Sequence, residues 1–362
     1  SSSEEKMSFV LGSKSSKRIL VLCTTTIAIL FILLFSSLYS SSTIRQSPCR
    51  LLSAVNMPSF SLNLGNKDKH LFTNFNRLTT SARHAQRNKE KILVLTPLKD
   101  ASPYLDQYFK LLDETSYPNH LISLAFLVSD SSDDTLATLQ SHIHAIQSRW
   151  NYRHRFDSVR IFTKDFDFDL PSSKRHQYEM QPLRRSIMAR SRNWLLSAAL
   201  ESDTSWVAWI DVDVVEYPTS IFQDLMRADA DVVVPNCLLK RDDHAFWAYD
   251  KNNWQETDES RRLQKGLDED FVLLEGYYEF PTYRYLMVDM PTDVDKQYKV
   301  ELDGVGATFT LVKAHVHREG ANFPAFAYQH QVETEGFAKM AKAMGFSVYG
   351  LPGYLIYHIQ NH

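Results

Sequence analysis

This sequence predicts an α/β fold built on a mostly parallel sheet, and three observations carry that prediction. Short apolar runs alternate with stretches of helical periodicity through residues 91–235, the pattern of strand–helix–strand units. The runs are continuous rather than alternating, as in strands buried on both faces. One of them, Ser205-Trp-Val-Ala-Trp-Ile-Asp-Val-Asp213, stops abruptly at two aspartates one residue apart. In such a sheet, ligands bind at the carboxyl ends of the strands.

The elements follow in chain order. Lys91-Ile-Leu-Val-Leu-Thr-Pro97 reads as the first buried strand, and a helix follows Pro103 through Tyr104, Tyr108 and Leu111. Residues 121–128 form the second strand. It runs into Ser129-Asp-Ser-Ser-Asp-Asp134, an acidic cluster that caps a helix through Leu139, Ile143 and Ile146 to Trp150. Val159-Arg-Ile-Phe162 is a third strand, residues 184–200 a long helix, and residues 206–210 the fourth strand. Pro218-Thr-Ser begins a helix to Met226, and Asp231-Val-Val-Val-Pro235 is the fifth strand. Later come a strand at 309–312, a helix from Gln331 to Met344, and a last short strand at 353–359.

The chain has 362 residues, 44% of them hydrophobic, enough for a sizeable core. Its net charge of −3 excludes a general nucleic-acid binder. Residues 19–39 are uncharged and apolar, long enough as a helix to cross about 30 Å of hydrocarbon. Lys14, Lys17 and Arg18 precede them, which keeps the N-terminus cytoplasmic. The expected organisation is a tail at 1–18, a signal anchor at 19–40, a polar stem at 41–88 and a folded domain at 89–362. The three cysteines, Cys23, Cys49 and Cys237, make no disulfide scaffold. Cys49 is free to pair either with Cys237 or between chains.

The aspartate pair is the strongest chemical signal. Strand side chains alternate faces, so Asp211 and Asp213 can point the same way while Val212 points back into the core. Two carboxylates there suit a hard divalent cation that also holds phosphate oxygens, although a solvated acidic strand end is the plain alternative. Glycine placement sharpens the choice. No glycine lies between Gly65 and Gly266, so this half has neither G-x-G-x-x-G nor a P-loop. A metal bridging carboxylate and diphosphate is the natural substitute.

Four other constellations stand out. The helix containing Arg184, Arg185, Arg190 and Arg192 offers guanidinium groups to phosphates or to a base edge, or simply a solvated basic face. Segments 253–258 and 274–284 mix aromatics with acids, as sugar sites and ordinary loops both do. Asp303 sits on the glycine-rich turn Asp303-Gly-Val-Gly-Ala-Thr308, where glycines let backbone approach a ligand. Glu333 and Glu335 open a helix, whose dipole alone favours them. His358 lies on an apolar strand, where a histidine is ordinarily a packed core residue.

Taken together, several ordered motifs resemble the fungal Golgi α-mannosyltransferases of the mannan polymerase complexes, glycosyltransferase family 62. They are the RR…ARSRN helix, SWVAWIDVDVVEYP, NNWQETD, LEGYYEFPTYRYLM, ELDGVGATFTLVKAHVHREGANFP and ETEGFAKMAK…GLPGYLIYH. The resemblance spans about Lys91 to His362. It implies a GT-A fold, GDP-mannose as donor, manganese as metal and a retaining transfer onto mannose-terminated N-glycan outer chains. It further implies homologous partner subunits, a type II Golgi membrane topology and a lumenal catalytic domain. On matching positions, Asp211 and Asp213 form the D-x-D, with His358 as the third metal ligand. Arg184 contacts the nucleotide, and Asp303, Glu333 and Glu335 are acceptor-side carboxylates. Asp213 is expected on the metal directly, with Asp211 nearer the ribose or a metal-bound water. The competing expectation is a non-catalytic or weakly active subunit that stabilises a partner transferase.

Overall fold

The computed structural model describes residues 73–168, 177–277 and 279–360. The expected tail, the anchor and most of the stem lie outside these residues, as does Cys49. Among the described residues no helix is long and apolar enough to cross a membrane.

The core of the fold is a nine-stranded sheet among the described residues. Its strands are β1 (Lys91–Leu98), β2 (Ile122–Val128), β3 (Ser158–Thr163), β4 (Thr204–Ile210), β5 (Val214–Glu216), β6 (Val232–Leu239), β9 (Val300–Glu301), β10 (Phe309–Lys313) and β11 (Val348–His358). Two short strands, β7 (Trp254–Gln255) and β8 (Tyr285–Leu286), pair separately. The order is β3-β2-β1-β4-β10-β6-β11-β5, with β9 also on β11. Strands β1 to β4 are mutually parallel, and β6 and β11 are parallel to each other. Strand β10 runs antiparallel between β4 and β6. The sheet is therefore mixed but mostly parallel, and the carboxyl ends of β1, β2, β4, β6 and β11 share one edge.

Helices cover both faces, as the continuous apolar runs require. On one side α1 (Leu105–Asp113), α2 (Thr135–Gln147) and α4 (Ile221–Arg227) bury residues such as Tyr108, Leu139 and Phe222. On the other, α3 (Gln181–Ala199), α6 (Ala314–Arg318) and α7 (Glu333–Ala343) bury Leu195, Val316 and Phe337. Helix α5 (Asp258–Gln264) begins at a capping box between Thr257 and Ser260. Every residue of β4 is buried, and its side chains alternate between the two layers. Trp206 faces the first layer and gives its indole N–H to the Glu90 carboxylate at 2.7 Å. Trp209 faces the second and donates to His317 Nε2 at 3.1 Å.

Four local departures have physical causes. First, the folded part begins before Lys89. Ala85 is a core residue, and Thr79 and Ser81 donate to the buried Glu90 carboxylate. These are turns pinned by one acid, which leave no periodicity to read. Second, the acidic cluster does cap α2, through Asp133, which accepts the Thr135 N–H at 3.0 Å, but the helix ends at Gln147, short of Trp150. Third, β6 continues past Pro235 to Leu239. A proline inside a strand removes a ladder donor, but β11 bulges opposite it between Leu351 and Leu355. Fourth, β11 is one long strand, Val348–His358, carried across that bulge, where only its second half looked extended.

His317 carries a testable consequence. Its Nδ1–H donates to the Ala321 carbonyl at 2.7 Å, and Nε2 accepts from Trp209. Burial holds it neutral, with its pKa lowered from 6.5 to about 4. Between those values the unfolded chain binds a proton that the folded chain refuses. Stability should therefore fall as pH falls from 6.5 to 4, by roughly 3 kcal/mol in total. Thermal unfolding across this range should show the loss, and His317→Gln should flatten it.

Candidate active site

The chain leaves β4 at Ile210 and turns, so strand alternation does not carry through to Asp213. Asp211 keeps the face of Trp209 and meets Arg192 of α3, whose terminal nitrogen lies 3.5 Å from Oδ1. Its backbone N–H donates to the Thr308 carbonyl at 3.0 Å. The turn then carries Asp213 across to β5 and the end of β11, where His358 Nε2 lies 3.0 Å from Asp213 Oδ1. The two segments are tied by backbone, with Ile359 N–H donating to the Asp213 carbonyl at 3.0 Å. Tyr249 stacks on the His358 ring, its centroid 3.8 Å away and its plane inclined 17°.

The electrostatics of this corner are those of a site short of positive charge. Asp211 has its carboxyl raised well above the ordinary range, first by burial and then by like charge from Asp213 and Glu333, against Arg192 and His358. His358 has its pKa raised. Burial opposes that, but the hydrogen bond and charge of Asp213 outweigh it and raise its pKa. Its Nδ1–H donates to the Ile359 carbonyl at 2.7 Å, since a carbonyl can only accept. That bond fixes the ring and leaves Nε2 as the atom presented to Asp213, the outer-shell arrangement common to ligating histidines.

Among the described residues no three His, Cys, Asp or Glu side chains enclose a point tightly enough to hold an ion as they stand. The donor set nevertheless fits one. Two carboxylates and an imidazole suit a hard or borderline divalent ion.

Behind the corner lies a layer of buried charge. Glu333 opens α7 with φ at +56°, its N–H donating to the Pro324 carbonyl at 2.9 Å. Its carboxylate accepts from Arg192 Nε at 3.1 Å. Arg192 thus bridges Glu333 and Asp211 while lying against the faces of Trp209 and Phe323. Glu335 is fully buried and accepts from Arg185 at 2.5 Å and from the Trp254 indole at 2.8 Å. Arg284 packs 3.6 Å over the Trp254 ring and bonds Glu275 at 3.0 Å. Burial raises the Glu335 pKa, only partly offset by Arg185 and Arg284.

Asp303 is occupied elsewhere. It accepts from Lys342 at 2.6 Å and from the Glu256 backbone at 2.7 Å. Burial would raise its pKa, but these bonds and the lysine charge bring it below the ordinary value. The glycines beside it serve internal packing. A Cβ on Gly304 would lie 2.3 Å from the Trp254 ring, and one on Gly306 would lie 2.1 Å from the Asp250 carboxylate. Arg184 stands in the first turn of α3, with one nitrogen 3.4 Å from Gln181 Oε1.

The fold thus gathers Asp211, Asp213 and His358, connects Glu333 to them through Arg192, and sets Glu335 and Asp303 further back. Sequence reasoning missed Asp250 and Tyr249. Asp250 is buried, bonds Thr308 at 2.9 Å, and feels the charge of His358. Its one signal was adjacency to the NNWQETD segment.

The family model described as Anp1 matches residues 70–327. The chain belongs to the Anp1 family. It is 45% identical over 279 residues to the mannan polymerase II complex anp1 subunit of Schizosaccharomyces pombe, covering 75% of this chain and 64% of that protein. The Saccharomyces cerevisiae ANP1 subunit is 42% identical over 288 residues, covering 76% and 58%. The chain thus spans less than two thirds of the length of these two relatives. A weaker likeness, with a TM-score of 0.41 and 11% identity over 78% of this chain and 59% of the other, links it to a Pyrobaculum calidifontis mannosyltransferase solved with GDP-Man and Mn2+. The Anp1 match ends before Glu333, Glu335 and His358.

Glu335 offers a test of the buried layer. Removing its carboxylate leaves Arg185 and Arg284 buried without their shared counter-charge. Glu335→Ala should cost about 3–5 kcal/mol of stability, read by denaturant unfolding.

Proposed function

We propose that this chain is a retaining α-mannosyltransferase of GT-A type. On this reading it moves mannose from GDP-mannose onto a mannose-terminated N-glycan acceptor. It works in the Golgi lumen, anchored through residues 19–40 and assembled with homologous subunits. The observation that carries the proposal is the convergence of Asp211, Asp213 and His358 at the carboxyl edge of the sheet. The half of the chain that supplies the aspartates has no glycine loop to cradle phosphate. Membership of the Anp1 family, whose yeast members are named as mannan polymerase subunits, supports it.

Asp211, Asp213 and His358 would hold the divalent cation, manganese on this reading, which supplies positive charge against the diphosphate. Arg184 adds guanidinium charge for the nucleotide. The bond from mannose C1 to the phosphate oxygen breaks, and its electron pair leaves with GDP. An acceptor hydroxyl oxygen bonds to C1 from the same face, and its proton passes to the departing phosphate oxygen. The mannosyl centre is oxocarbenium-like between the two events. This route needs no free base or nucleophile. That agrees with Glu333, Glu335 and Asp303, each already ion-paired and so suited to positioning the acceptor side rather than attacking.

A second reading, a weakly active or non-catalytic subunit, is favoured only by the relatives' description as complex subunits. Mannose transfer by the purified chain alone excludes it.

Calorimetric titration tests the first reading. GDP should bind the chain only with a divalent cation, and Asp213→Ala should weaken that binding roughly tenfold or more. Equal affinity for GDP with and without metal would overturn it.

A further inference from the structure

The segment that follows β6 puts two large aromatics in the open beside the candidate site. Phe246 and Trp247 are 55% and 56% exposed, where apolar rings of this size are ordinarily covered. Their backbone is nonetheless fixed. Leu239 N–H donates to the Trp247 carbonyl at 2.8 Å, and Leu238 bridges Ala248. Two residues on, Tyr249 stacks on His358. Lys240 N–H also donates to the His358 carbonyl at 2.7 Å. In register, Trp247 lies across from Leu239, which lies across from His358. Two strand spacings separate Trp247 from His358, about 10 Å.

The indole is further set by its neighbours. The Arg241 guanidinium lies 5.2 Å from the ring centroid and is itself held by two bonds to Asp243, at 2.9 and 2.7 Å. One side of Trp247 thus lies beside an exposed cation–carboxylate pair, and more than half of the residue stays open to solvent. An open aromatic face flanked by polar groups is suited to a pyranose ring. The C–H face of the sugar is apolar and gains from stacking on an aromatic, while its hydroxyls need donors and acceptors at the rim.

We infer that Trp247 forms an acceptor subsite, stacking on a mannose ring next to the one that reacts. A backbone spacing of about 10 Å from His358 puts Trp247 beside the site rather than in it, as suits a neighbouring residue of an α-linked chain. The inference rests on the mannosyl-transfer reading, but it concerns binding and can be tested apart from catalysis.

The test is calorimetric titration of the full chain with α1,6-linked mannotriose, with and without GDP and manganese. The unmodified chain should bind mannotriose. Trp247→Ala should weaken binding about fivefold, Trp247→Phe should retain most of it, and GDP–manganese affinity should not change in either variant. In transfer assays the loss should appear in the acceptor KM, not the donor KM. Unchanged mannotriose affinity in Trp247→Ala overturns the inference, as does absence of binding by the unmodified chain. Loss of a co-purifying subunit with mannotriose affinity intact overturns it in favour of a protein-binding role. Trp247-dependent mannotriose binding without any mannose transfer would sustain the subsite and defeat the transferase reading instead.

Discussion

The candidate site depends on one constraint, the return of the last strand to the turn after β4. Asp211 and Asp213 lie on that turn, and the turn has no regular structure of its own to hold them. It is the backbone bond from Ile359 to the Asp213 carbonyl, together with the pairing of β11 with β5 and β6, that sets it. His358 arrives as part of the same closure. Remove that strand and the aspartates become a solvated strand end.

The second layer explains why charge can be concentrated here. Carboxylates near one another repel, and burial makes each more costly. The fold answers with arginines placed from the opposite side: Arg192 beneath Asp211 and Glu333, Arg185 and Arg284 around Glu335. Arg192 lies over Trp209 and Phe323 and Arg284 over Trp254, where aromatic faces favour cations. Such pairs add little net stability but are costly to break. Their effect is to fix direction, and Arg192 bonds Glu333 more closely than it bonds Asp211. Asp211 is therefore restrained without being fully neutralised.

Much of the fold was legible because its strands are buried on both faces. β1, β2, β3 and β4 fall within a residue or two of the apolar runs, since a continuous run bounded by polar residues has few alternatives. β5 was not legible. Three residues held on an edge by β11 have no pattern of their own. The extension of β6 through Pro235 was hidden for a related reason, because a proline reads as a stop unless the bulge opposite it is known. At the site, Asp211 and Asp213 were visible as an acidic strand end, and Val212 does pack against the core, but a turn rather than a continuing strand carries Asp213 to β11. Asp250 and Tyr249 were invisible because a buried acid in a loop looks like any surface acid.

The sequence by itself determined the parallel-strand architecture, the absence of a glycine phosphate loop in the first half, and the aspartate pair at the end of β4. These are local properties, set by side-chain apolarity, by backbone freedom and by adjacency along one segment. Only the tertiary structure decided that His358 faces Asp213, that Glu333 reaches Asp211 through Arg192, and that the glycines near Asp303 make room for Trp254 and Asp250. Each of these joins residues far apart in the chain. Contact across such distances depends on sheet order and strand register, which no single segment encodes.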